Sequence, residues 1–376
     1  MGVVPHVLHC HSTFAQGGKE LRSVKLINAF GRRWKHTIVS GARDELSARE
    51  LISRDIEAVF PDGFPELSGF PSPARLVAIA EQLKHYDLVL TYNWGAMDVV
   101  MAHTVFARSF GLPPLIHHED GFNEDEADRL KARRNWYRRV ALSGVSQLVV
   151  PSMTLERIAL EVWKQPQSRL TRIANGIDTA RFAKPPEAGA LRVVKREGEA
   201  WIGAIAGLRP IKQLHLLVEA VSDLPAHWHL VILGEGPEKD TVLAAARDYE
   251  ISHRVHLPGA INDPARVIGL LDVFALSSKS EQFPLAIVEA MAAGLPIAAP
   301  AVGDIKAMVS EPNVEFIAAP NDPAALSEAL GKLAHDPSLR VELGNANRAK
   351  AQAEFEEGTM IERYRNLYTT AVERRD

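Results

Sequence analysis

The chain has 376 residues, more than one ordinary hydrophobic core serves and about what two domains need. With 46% hydrophobic and 24% charged residues it has the make-up of a soluble globular protein, and a net charge of −4 gives no electrostatic argument for nucleic acid. One cysteine, Cys10, excludes an internal disulfide and a cysteine-cluster metal site.

Along the chain, short apolar runs alternate with segments of helical period. In the first half strands are predicted at 6–10, 36–39, 87–91, 115–118 and 147–151, with helices at 18–34, 72–85, 96–110 and 125–142. In the second half strands are predicted at 201–206, 228–233, 254–257, 273–276, 296–299 and 315–318, with helices at 213–224, 238–249, 264–271, 284–293 and 323–335. After Asp336 the chain reads as helical, with Ile361, Tyr364, Leu367 and Tyr368 at helical spacing. This alternation predicts an α/β protein of two doubly wound, Rossmann-like domains facing across a cleft. The polar, proline-bearing stretch 175–199 reads as a linker, which gives an N-terminal domain over 1–184, a C-terminal domain over 185–355 and a last helix over 356–376. Residues 1–11 lack the basic start and apolar centre of an export signal, so a cytoplasmic protein is expected. The most membrane-like window, 283–302, contains Glu289, Pro284, Pro296 and Pro300 and reads as helix, turn and buried strand.

Five segments carry groups suited to chemistry. Gly17-Gly18 joins a strand to a helix, where glycines let backbone approach a ligand. His117-His118-Glu119-Asp120-Gly121 ends a predicted strand; adjacent strand residues point to opposite faces, so either His117 or His118 faces the cleft. No third ligand accompanies them, which argues against a metal. Between Arg129 and Arg139 lie Lys131, Arg133, Arg134 and Arg138 with Trp136 and Tyr137. That segment reads either as a peripheral contact with an anionic membrane or as a solvated face paired with Glu124, Asp125, Glu126 and Asp128. Arg209 and Lys212 follow a strand and stand three apart, so both cations can point into one cleft and grip phosphate. Gly234-Glu235-Gly236-Pro237 also ends a strand, as a tight turn or a ligand contact.

The sharpest signal is the stretch 280–294. Glu281 and Glu289 stand eight positions apart, and Pro284 suits a helix start between them. A helix start attracts phosphate, while flanking carboxylates suit sugar or ribose hydroxyls. The stretch therefore reads as a seat for a sugar nucleotide.

From Gly17-Gly18 through Asn175-Gly176-Ile177-Asp178, 207–212 and 234–237 to Glu281 and Glu289, the chain resembles the GT-B retaining glycosyltransferases of family 4. The resemblance implies an acceptor-binding N-terminal domain, a donor-binding C-terminal domain and a last helix that crosses back to the first. It implies that Arg209 and Lys212 hold the donor diphosphate and that Glu289 accepts from the ribose. Glu281, with the backbone at Phe283 and Leu285, would hold the transferred sugar; Gly17 and Gly18 would approach the phosphate, Gly234 would line the donor site, and His118 would lie near the reacting sugar. The donor would be a UDP- or GDP-sugar and the acceptor a glycan or lipid-linked glycan, as in polysaccharide or cell-envelope synthesis, with no metal cofactor required and peripheral attachment at the inner membrane face through Arg129–Arg139. Gln213 departs from the pattern, standing where glycine often follows the lysine, and Gln282-Phe283-Pro284 replaces a more glycine-rich turn. A nucleotide-sugar epimerase and a two-lobed sugar-binding protein are the competing readings.

Overall fold

The computed structural model describes residues 4–67, 69–122, 124–126, 129–187 and 189–374. The chain forms two compact units, one made of residues 1–174 with 360–376 and the other of 175–359. In the first unit seven strands, β1 (His6–His11), β2 (Lys35–Ser40), β3 (Ala58–Val59), β4 (Leu88–Tyr92), β5 (Leu115–His118), β6 (Gln147–Val150) and β7 (Leu170–Arg172), lie in the order β3-β2-β1-β4-β5-β6-β7. In the second, β8 (Ala200–Ile205), β9 (Trp228–Leu233), β10 (Val255–Gly259), β11 (Val273–Ala275), β12 (Ile297–Pro300) and β13 (Ile317–Ala318) lie in the order β10-β9-β8-β11-β12-β13. The described strand pairs are parallel, as expected where helices cover both faces. In each sheet the order reverses beside the first strand, between β1 and β4 and between β8 and β11. The crevice outside the strand ends at such a reversal is where doubly wound sheets take ligands.

The six strands predicted for the second half all form, with ends shifted by one or two residues. Short β3 and edge strand β7 were not predicted, because two or three residues carry no readable period. The Met153–Glu161 helix was also missed, although Ser152 caps it by accepting from the Leu155 N–H at 3.0 Å. The helix predicted over 125–142 begins only at Ala132, because Asp125 and Glu126 belong to a separate turn and fold back on Lys131, Arg134 and Arg138. The helix predicted over 264–271 is two 3-10 turns, 264–266 and 268–270.

The stretch read as a linker packs with the second unit. Ile177 bridges Glu356, Glu187 pairs with Arg266, and Lys195 reaches Asp272 at 2.5 Å. These contacts move the boundary to 174/175, ten residues before the expected one. In the first unit Tyr364 and Tyr368, from the Glu357–Glu373 helix, are buried against Val7, Leu90 and Ile116.

Candidate active site

In the second unit the loops after β8 and β11 meet at the reversal of strand order. Pro210–Lys212 forms a single 3-10 turn, and Gln213 closes it in the left-handed region at φ 45°, ψ 42°. That conformation explains why glycine is common at this position. The loop after β11 is clipped to this turn: the Lys279 N–H donates to the Ile211 carbonyl at 2.9 Å, and the buried Ser277 hydroxyl donates to the Lys212 carbonyl at 2.9 Å. The clip brings the Lys212 ammonium onto Glu281 Oε1, which also accepts from the Ser278 hydroxyl at 2.7 Å. Both charged side chains remain partly open, at 15% and 11% exposure. Two groups separated by 69 positions are thus joined at the crevice.

Glu281 is also fixed from behind. Gly303, at φ 57°, lies so close that a Cβ would overlap the Glu281 carbonyl, and the Asp304 N–H donates to the Gln282 carbonyl at 3.2 Å. The helix that follows runs Leu285–Ala293, and no side chain caps its start. Pro284 sits at its N-cap, where the prediction had the first helical position. Glu289 lies one turn into the helix, half-buried, and the Phe283 ring packs edge-on against Phe355 at 5.6 Å. Gly207 lies beside Arg209, whose Nε is 3.5 Å from where a Cβ would stand. Gly234 has a packing role: a Cβ there would overlap the Ala206 carbonyl, and the Leu208 N–H donates to Glu235 at 2.9 Å.

In the first unit, Gly17 is the N-cap of the Gly18–Phe30 helix, with extended backbone and no side-chain cap. A Cβ at Gly17 would come 2.8 Å from Glu20 Oε2, so the residue is small to let Glu20 lie across the helix start. Glu20 is buried, pairs with Lys19 and accepts from the Thr13 hydroxyl at 3.3 Å. Arg22, on the same helix, forks onto both oxygens of Asp120, with Nη2 to Oδ2 at 2.8 Å. Burial pushes the Lys19 ammonium down to about 8, against the pull of Asp120. Burial raises the Asp120 carboxyl, but Arg22 outweighs it and holds the group below its ordinary value. Asn93, at φ 53°, accepts from the Asp120 N–H at 2.7 Å and so fixes this corner.

The histidine predicted near the reacting sugar stands elsewhere. His118 is 1% exposed; its Nδ1 donates to the Thr91 carbonyl at 3.2 Å and its Nε2 accepts from the Tyr368 hydroxyl at 2.8 Å. Burial lowers it to about 3, so it is a neutral core residue with both ring nitrogens engaged. His117 points to the opposite face, fully buried against Thr91 and 3.7 Å from Glu119. The β5 end instead leaves Asp120 with its side chain 14% exposed. The prediction included Asp120 in its segment but not in its site; Lys19 and Arg22 carried no signal beyond proximity to Gly17-Gly18.

The basic, aromatic segment is largely paired within the chain. Arg134 and Lys131 bind Asp125, and fully buried Arg138 binds Glu119 and Glu126 at 3.2 Å among Trp94, Phe122 and Trp163. Asp128, an expected partner, lies outside the described residues, and the Glu124 side chain is not described. The outer face of the Ala132–Ala141 helix keeps Arg133, Arg139 and Trp136, the last 66% exposed. Among the described residues no helix is long and apolar enough to cross a membrane, and no cluster of three His, Cys, Asp or Glu could hold a metal ion.

Residues 16–181 match the family described as Glycosyltransferase Family 4, and residues 192–350 match Glycosyl transferases group 1. The chain belongs to the family 4 glycosyltransferases. Solved structures share the two-domain GT-B fold: HepE of Anabaena in complex with UDP has a TM-score of 0.79 at 17% identity, covering 97% of this chain and 100% of that one. Sucrose-phosphate synthase of Thermosynechococcus elongatus has a TM-score of 0.77 at 21% identity, covering 97% and 98%. Among characterised relatives, N-acetyl-alpha-D-glucosaminyl L-malate synthase of Bacillus anthracis is 26% identical over 46% of this chain and 46% of its own length. Glycogen synthase of Mycobacterium tuberculosis is 26% identical over 73% of this chain and 64% of its own. The chain thus matches less than two thirds of either relative. A diphosphoundecaprenol-linked galactosyltransferase of Escherichia coli that uses UDP-Gal is 24% identical over 79% of each chain.

Proposed function

We propose that this chain moves a sugar from a nucleotide-sugar donor to a glycan or lipid-linked acceptor, with retention of anomeric configuration, in polysaccharide or cell-envelope glycan synthesis. The observation that carries the reading is the Lys212–Glu281 pair, seated where strand order reverses and followed by the uncapped start of the Leu285–Ala293 helix. A diphosphate entering this crevice competes for Lys212, and the freed Glu281 then accepts a hydrogen bond from a hydroxyl of the transferred sugar. Glu289 accepts from the ribose. The printed names of the relatives support a nucleotide-sugar donor, since HepE was crystallised with UDP and with UDP-glucose.

In the reaction the bond from the anomeric carbon to the phosphate oxygen breaks. The acceptor hydroxyl oxygen bonds to that carbon from the same face, and its proton passes to the departing phosphate. Negative charge collects on the nucleoside diphosphate, where Arg209, Lys212 and the helix start stabilise it. No divalent metal is required on this reading, so turnover should survive EDTA. His118 takes no proton, since both ring nitrogens are engaged within the core. Gly17 and Gly18 lend open backbone at the corresponding end of the first unit.

Calorimetric titration with UDP and GDP tests the donor site. Lys212→Ala and Glu289→Ala should each weaken binding about tenfold or more, the size of one lost charge-assisted hydrogen bond. Unchanged affinity in both variants defeats the assignment. The outer face bearing Arg133, Trp136 and Arg139 supports peripheral attachment to anionic lipid. Co-sedimentation with vesicles containing phosphatidylglycerol, and not with phosphatidylcholine alone, is the expected result; equal recovery with both removes the proposal.

A further inference from the structure

A second pocket lies at the C-terminal ends of β2 and β3, within the first unit. Its walls are the residues that leave β2, Ser40 to Leu46, and the stretch Phe60 to Leu67 after β3. The cavity holds about 240 Å³. That is below the roughly 300–1,000 Å³ of drug-sized sites and suits one sugar ring. The pocket sits at the end of the sheet where doubly wound folds take ligands, on the side of β1 away from β4.

Four hydrogen bonds lock its wall to the loop that carries Gly17. The Ala42 N–H donates to the Ser12 carbonyl at 2.9 Å, and the Phe14 N–H to Glu45 at 2.9 Å. The Ala48 N–H donates to Phe14 at 3.0 Å, and the Gln16 N–H to the Ser47 hydroxyl at 3.1 Å. An occupant is therefore indexed to the β1 loop by rigid backbone rather than by a free-standing surface loop. Arg43 spans the mouth, with its guanidinium 3.5 Å from the Phe64 carbonyl.

The lining chemistry selects the occupant. Asp62 and Glu66 stand exposed beside Arg43, over an aromatic floor of Phe60 and buried Phe64. Two carboxylates beside one guanidinium accept and donate hydrogen bonds to a polyhydroxylated ring. They repel a phosphate or a uronic acid, and a polar lining gives an alkyl chain nothing to displace. We propose that this pocket seats an uncharged sugar ring of the acceptor. The proposal rests on the glycosyltransferase reading and adds to it the acceptor's chemical class and its place on the fold.

The test uses saturation-transfer NMR on the full chain, with methyl glycosides of glucose, galactose, mannose and N-acetylglucosamine as probes and methyl glucuronide as the charged control. At least one neutral glycoside should receive transfer, with the glucuronide weaker. The doubly substituted Asp62→Ala, Glu66→Ala chain should lose the signal at least fivefold while its UDP or GDP affinity stays unchanged. Both residues are exposed, so the variant should keep the wild-type melting temperature. Transfer that is unchanged in this variant, absent for all neutral probes, or strongest for the glucuronide overturns the pocket assignment, provided UDP or GDP still binds the wild type. If neither nucleotide binds the wild type, the glycosyltransferase reading falls, and the acceptor proposal with it.

Discussion

The first unit should be acid-labile, and the extent follows from its buried histidines. His9 and His11 of β1, His36 of β2 and His118 of β5 are all nearly inaccessible. They form a connected layer: His9 Nε2 meets His36 Nδ1 at 3.0 Å, His9 Nδ1 meets the Tyr92 hydroxyl at 3.2 Å, and Tyr92 stacks on His11 at 3.9 Å and on His118 at 4.7 Å. Burial is the leading cause in each case; it lowers His118 to about 3, His36 to about 4, and His9 and His11 well below the ordinary value. Lys19 and Arg22 push His11 further down, and Asp120 alone pulls His118 up. In the unfolded chain these rings titrate near 6.5. Below that value the unfolded state binds protons that the folded state refuses, so stability falls as pH falls, at about 1.4 kcal/mol per ring per pH unit. Between pH 7 and pH 5, His36 and His118 each cost about 2 kcal/mol, so the pair costs about 4 kcal/mol before His9 and His11 add to it. That is a large part of the 5–15 kcal/mol typical of a domain. Amide hydrogen exchange at both pH values, corrected for intrinsic rates, reads the opening free energy of β1, β4 and β5 apart from that of β8, β9 and β11. The second unit should lose less, since its lowered histidines, His229 and His256, are only part-buried. A loss below about 1 kcal/mol in the β1, β4 and β5 amides, or an equal loss in both units, refutes the reasoning.

Two stability predictions concern the donor loops. Gln213→Gly relieves a left-handed backbone at φ 45° and should stabilise the second unit by about 1 kcal/mol in urea denaturation; a destabilised variant would mean that the Gln213 side chain contributes more than the strain costs. Gly234→Ala drives a methyl group into the Ala206 carbonyl and should cost about 1–3 kcal/mol, with weakened UDP or GDP binding as the 206–208 loop shifts. A variant with wild-type stability and affinity would show that the two loops are not held together by that approach.

Much of the architecture was legible because buried parallel strands are uninterrupted apolar runs, and each run ends where a loop must turn back over a helix. The donor segment was legible for a related reason. Ser277 to Gly294 is one continuous strand-loop-helix stretch, so its spacing already states which groups lie near the helix start. The β8 loop could be paired with it because both follow strands at the sheet centre. The 175–199 stretch misled because its prolines and charges look like a spacer. In the structure its charges are spent on Arg266 and Asp272 of the second unit.

What the sequence withheld depends on contacts between distant positions. Arg22 meets Asp120 across 98 positions, and neither residue stands in a recognisable spacing with the other. The fate of His118 turns on the same physics. A histidine at a strand end either opens to the crevice or lies beneath whatever helix covers the sheet, and its neighbours in sequence do not decide between these. Tyr368, 250 positions later, supplies the hydroxyl that closes the ring's second nitrogen. Once that contact forms, a proton on the ring has neither solvent nor an anion directly paired with it, and the low value near 3 is the electrostatic record of that enclosure. Proton traffic at this end of the sheet must then pass through groups that keep some exposure, and Asp120 and Lys19 keep 14% each. Asp120→Asn should therefore depress turnover more than donor affinity, whereas His118→Asn should act chiefly on stability. A His118 variant that melts like the wild type yet has lost turnover would reverse the two roles.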